Sequence, residues 1–204
     1  MLKIKLILIA LLTFSCGGER QQQQLQQQHQ QPRQDFFEVK VGGDDSLRIT
    51  LDRVSDTLNI IRVKTLKDGK ITRAASYPLP YPVYRFDVGD LTGDGVPDIA
   101  VGVIKTTPYD PKLAKRPFLF KINDEGEVRK LWMGSRVSQP LEDFVLSKGA
   151  APVKVLTIER ELSGKFLVAV YRYQGFGLAH NGYVKREISL EEAYKLLHIQ
   201  RSML

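Results

Sequence analysis

From residue 36 onward, apolar residues recur at every second position in short runs, which is the period of a half-buried strand. The runs are FFEVKV (36–41), LRITLDRV (47–54), LNIIRVKTL (58–66), VYRFDV (83–88), DIAVGVI (98–104), PFLFKIN (117–123), EVRKLWM (127–133), VKVLTIE (153–159) and KFLVAVYRY (165–173). Turn-forming residues separate them at Gly42-Gly43-Asp44-Asp45, Asp124-Glu125-Gly126, Ser163-Gly164 and around Gly175. Lys67-Asp68-Gly69-Lys70 is the strongest of these signals, because an Asp-Gly pair between apolar runs supplies the positive φ of a tight hairpin. Only the end of the chain changes period. Ser189-Leu190-Glu191-Glu192 forms a capping box ahead of EEAYKLLHIQ, where Ala193, Leu196 and Leu197 share one helical face. The pattern predicts a mainly β, antiparallel domain over residues 36–204, ended by a short C-terminal helix.

The strands also repeat at longer range. The stretch from Ile61 aligns with the stretch from Phe120: each has a hairpin glycine (Gly69, Gly126), a serine (Ser76, Ser135), a proline (Pro78 or Pro82, Pro140) and a strand phenylalanine (Phe86, Phe144). A weaker third copy begins at Phe166-Leu167-Val168 and decays. Repeats of this length suggest propeller-blade-like sheets. A closed ring needs at least about four blades of four strands, and residues 36–188 supply only two to three. The expected fold is therefore an incomplete propeller.

The first 34 residues follow a different pattern. In MLKIKLILIALLTFS, Lys3 and Lys5 precede an apolar run too short to span a bilayer, the layout of a secretory signal. The single cysteine, Cys16, stands where that run ends, before Gly17-Gly18. This resembles a bacterial lipoprotein signal, although Thr13 and Phe14 depart from the usual residues. The resemblance implies lipidation of Cys16 and a place on the outer membrane of a cell envelope, on its periplasmic or surface face. The competing reading is an ordinary cleaved signal with an incidental cysteine. Residues 21–34 hold ten glutamines in fourteen positions and have little to bury. Residues 1–15 are thus read as the signal and 16–35 as the lipidated cysteine with a flexible tether. His29 in that tract has no metal partner.

Composition then changes the picture in two ways. A hydrophobic fraction of 43% with 26% charged excludes wholesale disorder, and one cysteine excludes a disulfide framework. The formal charge of +7 loses Lys3 and Lys5 with the signal and falls to +5. An exported chain with so modest an excess argues against a nucleic-acid partner.

The chemistry concentrates in residues 87–102, where Asp90, Asp94 and Asp98 alternate with small and turn-forming residues. Oxygen-bearing residues in one tight loop suit Ca²⁺, which takes six to eight oxygens, and Gly93 and Gly95 let the loop curl. An EF-hand is excluded, since the twelfth place is Val101 rather than Glu and strands flank the loop. VGDLTGDGVPDIAVG is similar to one FG-GAP or VCBS-type repeat, the calcium-loop blade of integrin-like propellers, over about residues 83–104. The resemblance implies side-chain oxygens from Asp90, Asp94 and Asp98, a hydroxyl or replacing water at Thr92, and the backbone carbonyl of Val96. It also implies a structural rather than a catalytic ion, with no general base beside it. The alternative is a charged turn whose aspartates cap backbone amides without metal. The matching stretch of the second copy, from Ser147, has no carboxylate.

Other features carry less. His180 and His198 have no ligand or nucleophile partner at motif spacing, and no GxSxG, HExxH, P-loop or GxGxxG motif occurs. Residues 105–116 read as a long polar insertion, with Lys105, Tyr109, Lys112, Lys115 and Arg116 as candidates for contact with an acidic glycan, anionic headgroups or another envelope protein. The sequence as a whole points to a lipid-anchored, non-enzymatic binding or adhesion-type module braced by Ca²⁺. The alternatives are a structural subunit of an envelope assembly and a divergent periplasmic hydrolase.

Overall fold

The structure is a computed structural model and describes residues 35–134 and 136–204. The signal segment, Cys16, the glutamine tract and Ser135 lie outside the described residues. The described residues, 35 onward, belong to one compact unit. The described residues form twelve antiparallel strands and one helix. The first sheet holds β1 (Phe36–Gly42), β2 (Asp45–Arg53), β3 (Asn59–Lys67) and β4 (Lys70–Leu79). The second holds β5 (Val83–Gly89), β6 (Asp98–Thr107), β7 (Asp110–Ile122) and β8 (Val128–Met133). The third holds β9 (Leu141–Leu146), β10 (Val155–Arg160), β11 (Phe166–Tyr173) and β12 (Leu178–Ile188), followed by α1 (Leu190–Met203). Each sheet is a simple meander in sequence order. This is the mainly β, incomplete propeller-like arrangement expected, with three blade-like sheets and no closed barrel.

Burial explains why the sheets pack face to face. In β2, Leu47, Ile49 and Leu51 alternate with polar residues, so the first sheet has one apolar face. That face meets Ile99, Val101, Val103, Phe118 and Phe120 of the second sheet. The second sheet is apolar on both faces, and β6 accordingly begins with six buried residues in a row. Its other face, with Ala100 and Leu119, meets Phe144, Leu146, Val155 and Leu167 of the third sheet. The far side of the third sheet, with Val145, Leu156, Ile158 and Val168, is covered by Leu190, Ala193, Tyr194 and Leu197 of α1. Ser189 caps that helix by accepting the Glu192 amide. The outer face of the first sheet is charged instead, with Arg48 paired to Glu38 at 3.1 Å and Arg62 paired to Asp52. The packing therefore stops at both ends, at a polar face on one side and a helix on the other.

The long-range repeat has a structural basis. Gly69 and Gly126 occupy the β3–β4 and β7–β8 turns, and Phe86 and Phe144 lie in β5 and β9, the first strands of successive sheets. The third copy begins with β11 and decays because α1 follows β12 where another first strand would begin. Three strands are missing from the alternating runs: β9 enters only through the repeat, as the strand of Phe144, and β4 and β12 escape altogether. β4 and β12 are last strands of their sheets, largely exposed, and so need no apolar alternation. Residues 105–116 are not a loop: β6 and β7 extend through them as a hairpin with Thr107 paired to Asp110.

The meanders sort the turns to two ends. β5 and β9 run side by side in the same direction, since Arg85 meets Asp143 and Asp87 meets Leu146. The first sheet is aligned with them through Arg53 to the Val83 carbonyl (3.0 Å) and Arg73 to the Asp124 carbonyl (2.9 Å). The turns at 42–45, 67–70, 90–97, 123–126, 147–154 and 174–177 therefore share one end. The turns at 54–58, 107–110 and 161–165 share the other. Asp35, where the described chain begins, is at this second end, held by Arg53 at 2.8 Å.

Candidate functional site at the 90–98 loop

The loop joins β5 to β6, and its base is the Gly89–Asp98 pair of the ladder. Each aspartate takes backbone amides that a tight turn leaves without a ladder partner. Asp90 accepts from the Gly93 amide at 2.6 Å and the Gly95 amide at 2.8 Å. Asp98 Oδ2 accepts from the Leu91 and Thr92 amides, both at 2.9 Å. Asp94 accepts from the Val96 amide at 3.0 Å and pairs with Lys121 of β7. Gly93 and Gly95 have φ of +79° and +84°, a conformation that L side chains disfavour.

The three carboxylates differ in environment. Lys121 holds the Asp94 carboxyl below the usual carboxylate range, and Asp94 raises the Lys121 ammonium in return. Burial pushes Asp98 up to about 6, against the opposing pull of the Thr92 amide, the Thr92 hydroxyl and the Leu91 amide. Asp98 is 1% exposed. Its second oxygen, Oδ1, is buried and makes no bond of hydrogen-bonding geometry, and neither does the buried Thr92 hydroxyl, although that hydroxyl lies near enough to favour the charged carboxylates of Asp98 and Asp94. Buried oxygens without donors cost free energy, and a cation is one group that relieves such a cost.

Among the described residues no three carboxylate, imidazole or thiol groups gather at metal-holding distance. Asp90, Asp94 and Asp98 are turned onto amides and Lys121 rather than onto one point. The arrangement shown is the amide-capped turn, with two surplus oxygens at Asp98 and Thr92. Lys121 lies 27 residues from Asp94 and belongs to a strand that reads only as alternating, so nothing in the sequence marked it.

Below the loop lies a buried ionic junction. Asp87 of β5 accepts two bonds from Arg201 of α1, at 2.8 and 2.9 Å, and one from the Leu146 amide of β9, at 2.9 Å. Burial pushes its carboxyl up although Arg201 pulls the other way. Beside it Arg85 pairs with Asp143. The 147–154 loop leans on the 90–98 loop, with the Val153 amide donating to the Asp90 carbonyl at 2.7 Å.

The basic residues of 105–116 are mostly occupied within the fold. Arg116 is 2% exposed and pairs with Asp110 at 2.8 Å. Lys115 binds the Glu142 carboxylate at 2.6 Å, and Lys105 lies over the Tyr81 ring at 4.3 Å. These three cations thus fasten the hairpin from within the fold. Tyr109 and Lys112 stay exposed at its tip. His180 packs against Tyr171 and Tyr183, with ring centroids at 5.4 and 4.4 Å, a packing role. No protein-family description, curated protein or solved structure matches the chain.

Proposed function

We propose that the chain is a lipid-anchored cell-envelope protein whose β body is a non-enzymatic binding module braced by Ca²⁺ at the 90–98 loop. The observation that carries the calcium reading is the pair of buried oxygens without a bond of hydrogen-bonding geometry, Asp98 Oδ1 and the Thr92 hydroxyl, inside a loop that also holds Asp90 and Asp94. These four side chains and the Val96 carbonyl would hold the ion, and the ion would supply charge neutralisation. In that state Lys121 gives up Asp94, because a carboxylate bound to a cation has less charge to share. The bracing acts where it is most useful, since the loop closes β5–β6 and supports Val153 of the neighbouring loop. The anchor reading rests on Cys16 following the apolar run, and envelope localisation follows from it.

The test is a thermal melt of residues 33–204 with added Ca²⁺ and with EDTA. At about a hundredfold excess over Kd, binding to the folded state stabilises by about 2.7 kcal/mol, or roughly 5–10 °C for a body of this size. Asp98→Asn should remove the shift. An unchanged melting temperature across both conditions would overturn the calcium reading. Mass spectrometry of Cys16 tests the anchor separately, by the presence or absence of acyl mass.

A further inference from the structure

The end of the body from which the chain leads back toward Cys16 carries exposed apolar tips on the middle hairpin of all three sheets. In the first sheet Val54 and Leu58 flank the β2–β3 turn. In the second, Tyr109 (93% exposed) and Leu113 (71%) lie at the β6–β7 tip. In the third, Leu162 stands fully exposed in the β10–β11 turn. Single exposed apolar residues are ordinary, but three separate hairpins aimed at one end are not a scatter. Charges accompany them: Lys112 sits between Tyr109 and Leu113, exposed Arg136 lies on the connection from β8 to β9 at this end, and exposed Asp56 lies between Val54 and Leu58.

The opposite end has a different character. Its turns are rich in Gly and in charge of both signs, with Asp44, Asp45, Asp68, Asp124 and Glu125 beside Lys67, Lys70 and Lys148. Phe176 is the exposed apolar residue in those turns, while Ile71 and Met203 lie nearby on β4 and α1. Charge is mixed at both ends, so it is the clustered apolar tips that set the tip end apart.

We infer that the hairpin tips bearing Tyr109, Leu113 and Leu162 seat the body directly on a lipid bilayer, with Lys112 and Arg136 at the headgroups. The inference rests on the lipid-anchor reading for its geometry. Eighteen residues separate Cys16 from Asp35, a contour of at most about 70 Å. Asp35 is at the tip end, so an acylated Cys16 keeps these tips near the bilayer at an effective concentration on the order of millimolar. The apolar tips insert measurably without the tether and the tether strengthens that binding, with Tyr109 suited to the interface.

The experiment uses residues 33–204, which lack the anchor and contain no cysteine. They are sedimented with vesicles of phosphatidylethanolamine and phosphatidylglycerol. The expected result is measurable partitioning that falls at least tenfold in the triple variant Tyr109→Ser, Leu113→Ser, Leu162→Ser and holds in Phe176→Ser. A polarity-sensitive dye on Tyr109→Cys should shift to the blue with vesicles, and the same dye on Phe176→Cys should not. The inference is overturned by absent partitioning, by equal loss in Phe176→Ser, or by a dye response at 176 alone. It is also overturned if the tips instead drive self-association in solution, abolished by the triple variant, with no vesicle binding. An unacylated Cys16 in the full chain sinks the anchor reading, while the vesicle result stands or falls by itself.

Discussion

The loops at 90–97 and 147–154 occupy the same place in successive sheets, and they are closed by opposite means. Each follows the first strand of its sheet, so Asp90 after β5 corresponds to Ser147 after β9. The first loop satisfies itself: its own aspartates take its own amides at Leu91, Thr92, Gly93, Gly95 and Val96. The second borrows. Ser147 bonds Lys154 across the loop at 2.8 and 2.9 Å, but Lys148 donates to the Arg201 carbonyl of α1 and Val153 to the Asp90 carbonyl. A loop with surplus carboxylates can stand alone and still offer oxygens to a cation. A loop without them needs a neighbour, and the helix provides it. The loss of carboxylates in the second copy and the replacement of a further first strand by α1 are thus two sides of one arrangement.

The largest test of that comparison is Asp87, where β5 and β9, the strands that lead into the two loops, meet the helix. Asp87→Ala leaves the Arg201 guanidinium and the Leu146 amide without their carboxylate, in a place where Asp87 is 2% exposed. Breaking a buried pair in this way costs about 3–5 kcal/mol, and the melting temperature should fall by roughly 10 °C or more. A loss under about 1 kcal/mol would mean that the helix does not support the second loop.

Next is the difference between the two corresponding residues. Asp90→Ala strips an acceptor from two amides and Ser147→Ala from one. With each amide worth about 1 kcal/mol, chemical denaturation should place Asp90→Ala at about twice the cost of Ser147→Ala. Equal costs would show that the first loop is not self-supporting.

Gly95→Ala probes the turn alone. An added Cβ meets open space but must adopt φ near +84°, so the cost should be about 1 kcal/mol in the melt. A neutral result would mean that the loop relaxes out of the left-handed conformation.

The smallest expected change in stability is the most informative about metal. Lys121→Met removes an ion pair whose side chains are 39% and 33% exposed, which should cost under about 1 kcal/mol. It also frees Asp94, so Ca²⁺ should bind a few times more tightly by titration calorimetry. Weaker binding would show that Lys121 positions Asp94 instead of competing for it.

Much of this architecture is legible along the chain. The runs at 47–54, 58–66, 98–104 and 165–173 alternate or stay apolar because their side chains enter the shared layers, and each became a strand in the expected place. β4 and β12 were not legible, since last strands in exposed positions face no selection for apolar spacing. The hairpin through 105–116 reads as an insertion in the sequence because its cations look solvated. Arg116 is buried nonetheless, held by Asp110 and the Lys112 carbonyl at 3.1 Å. The loop aspartates were visible as a spacing, but not their orientation, because backbone amides compete with a cation for the same oxygens.

What the sequence determined by itself is the local content: strand periods, the Asp-Gly hairpin, the capped helix, and a repeat too short to close a ring. Those follow from side-chain alternation and turn stereochemistry, which act within a few residues. Tertiary structure alone decided how the unfinished stack ends, with the charged face of the first sheet on one side and α1 on the other. It also decided which charges are spent inside the body, as Asp87 is on Arg201, 114 residues away. Pairings of that kind depend on which strands come to lie side by side, and no local spacing records it.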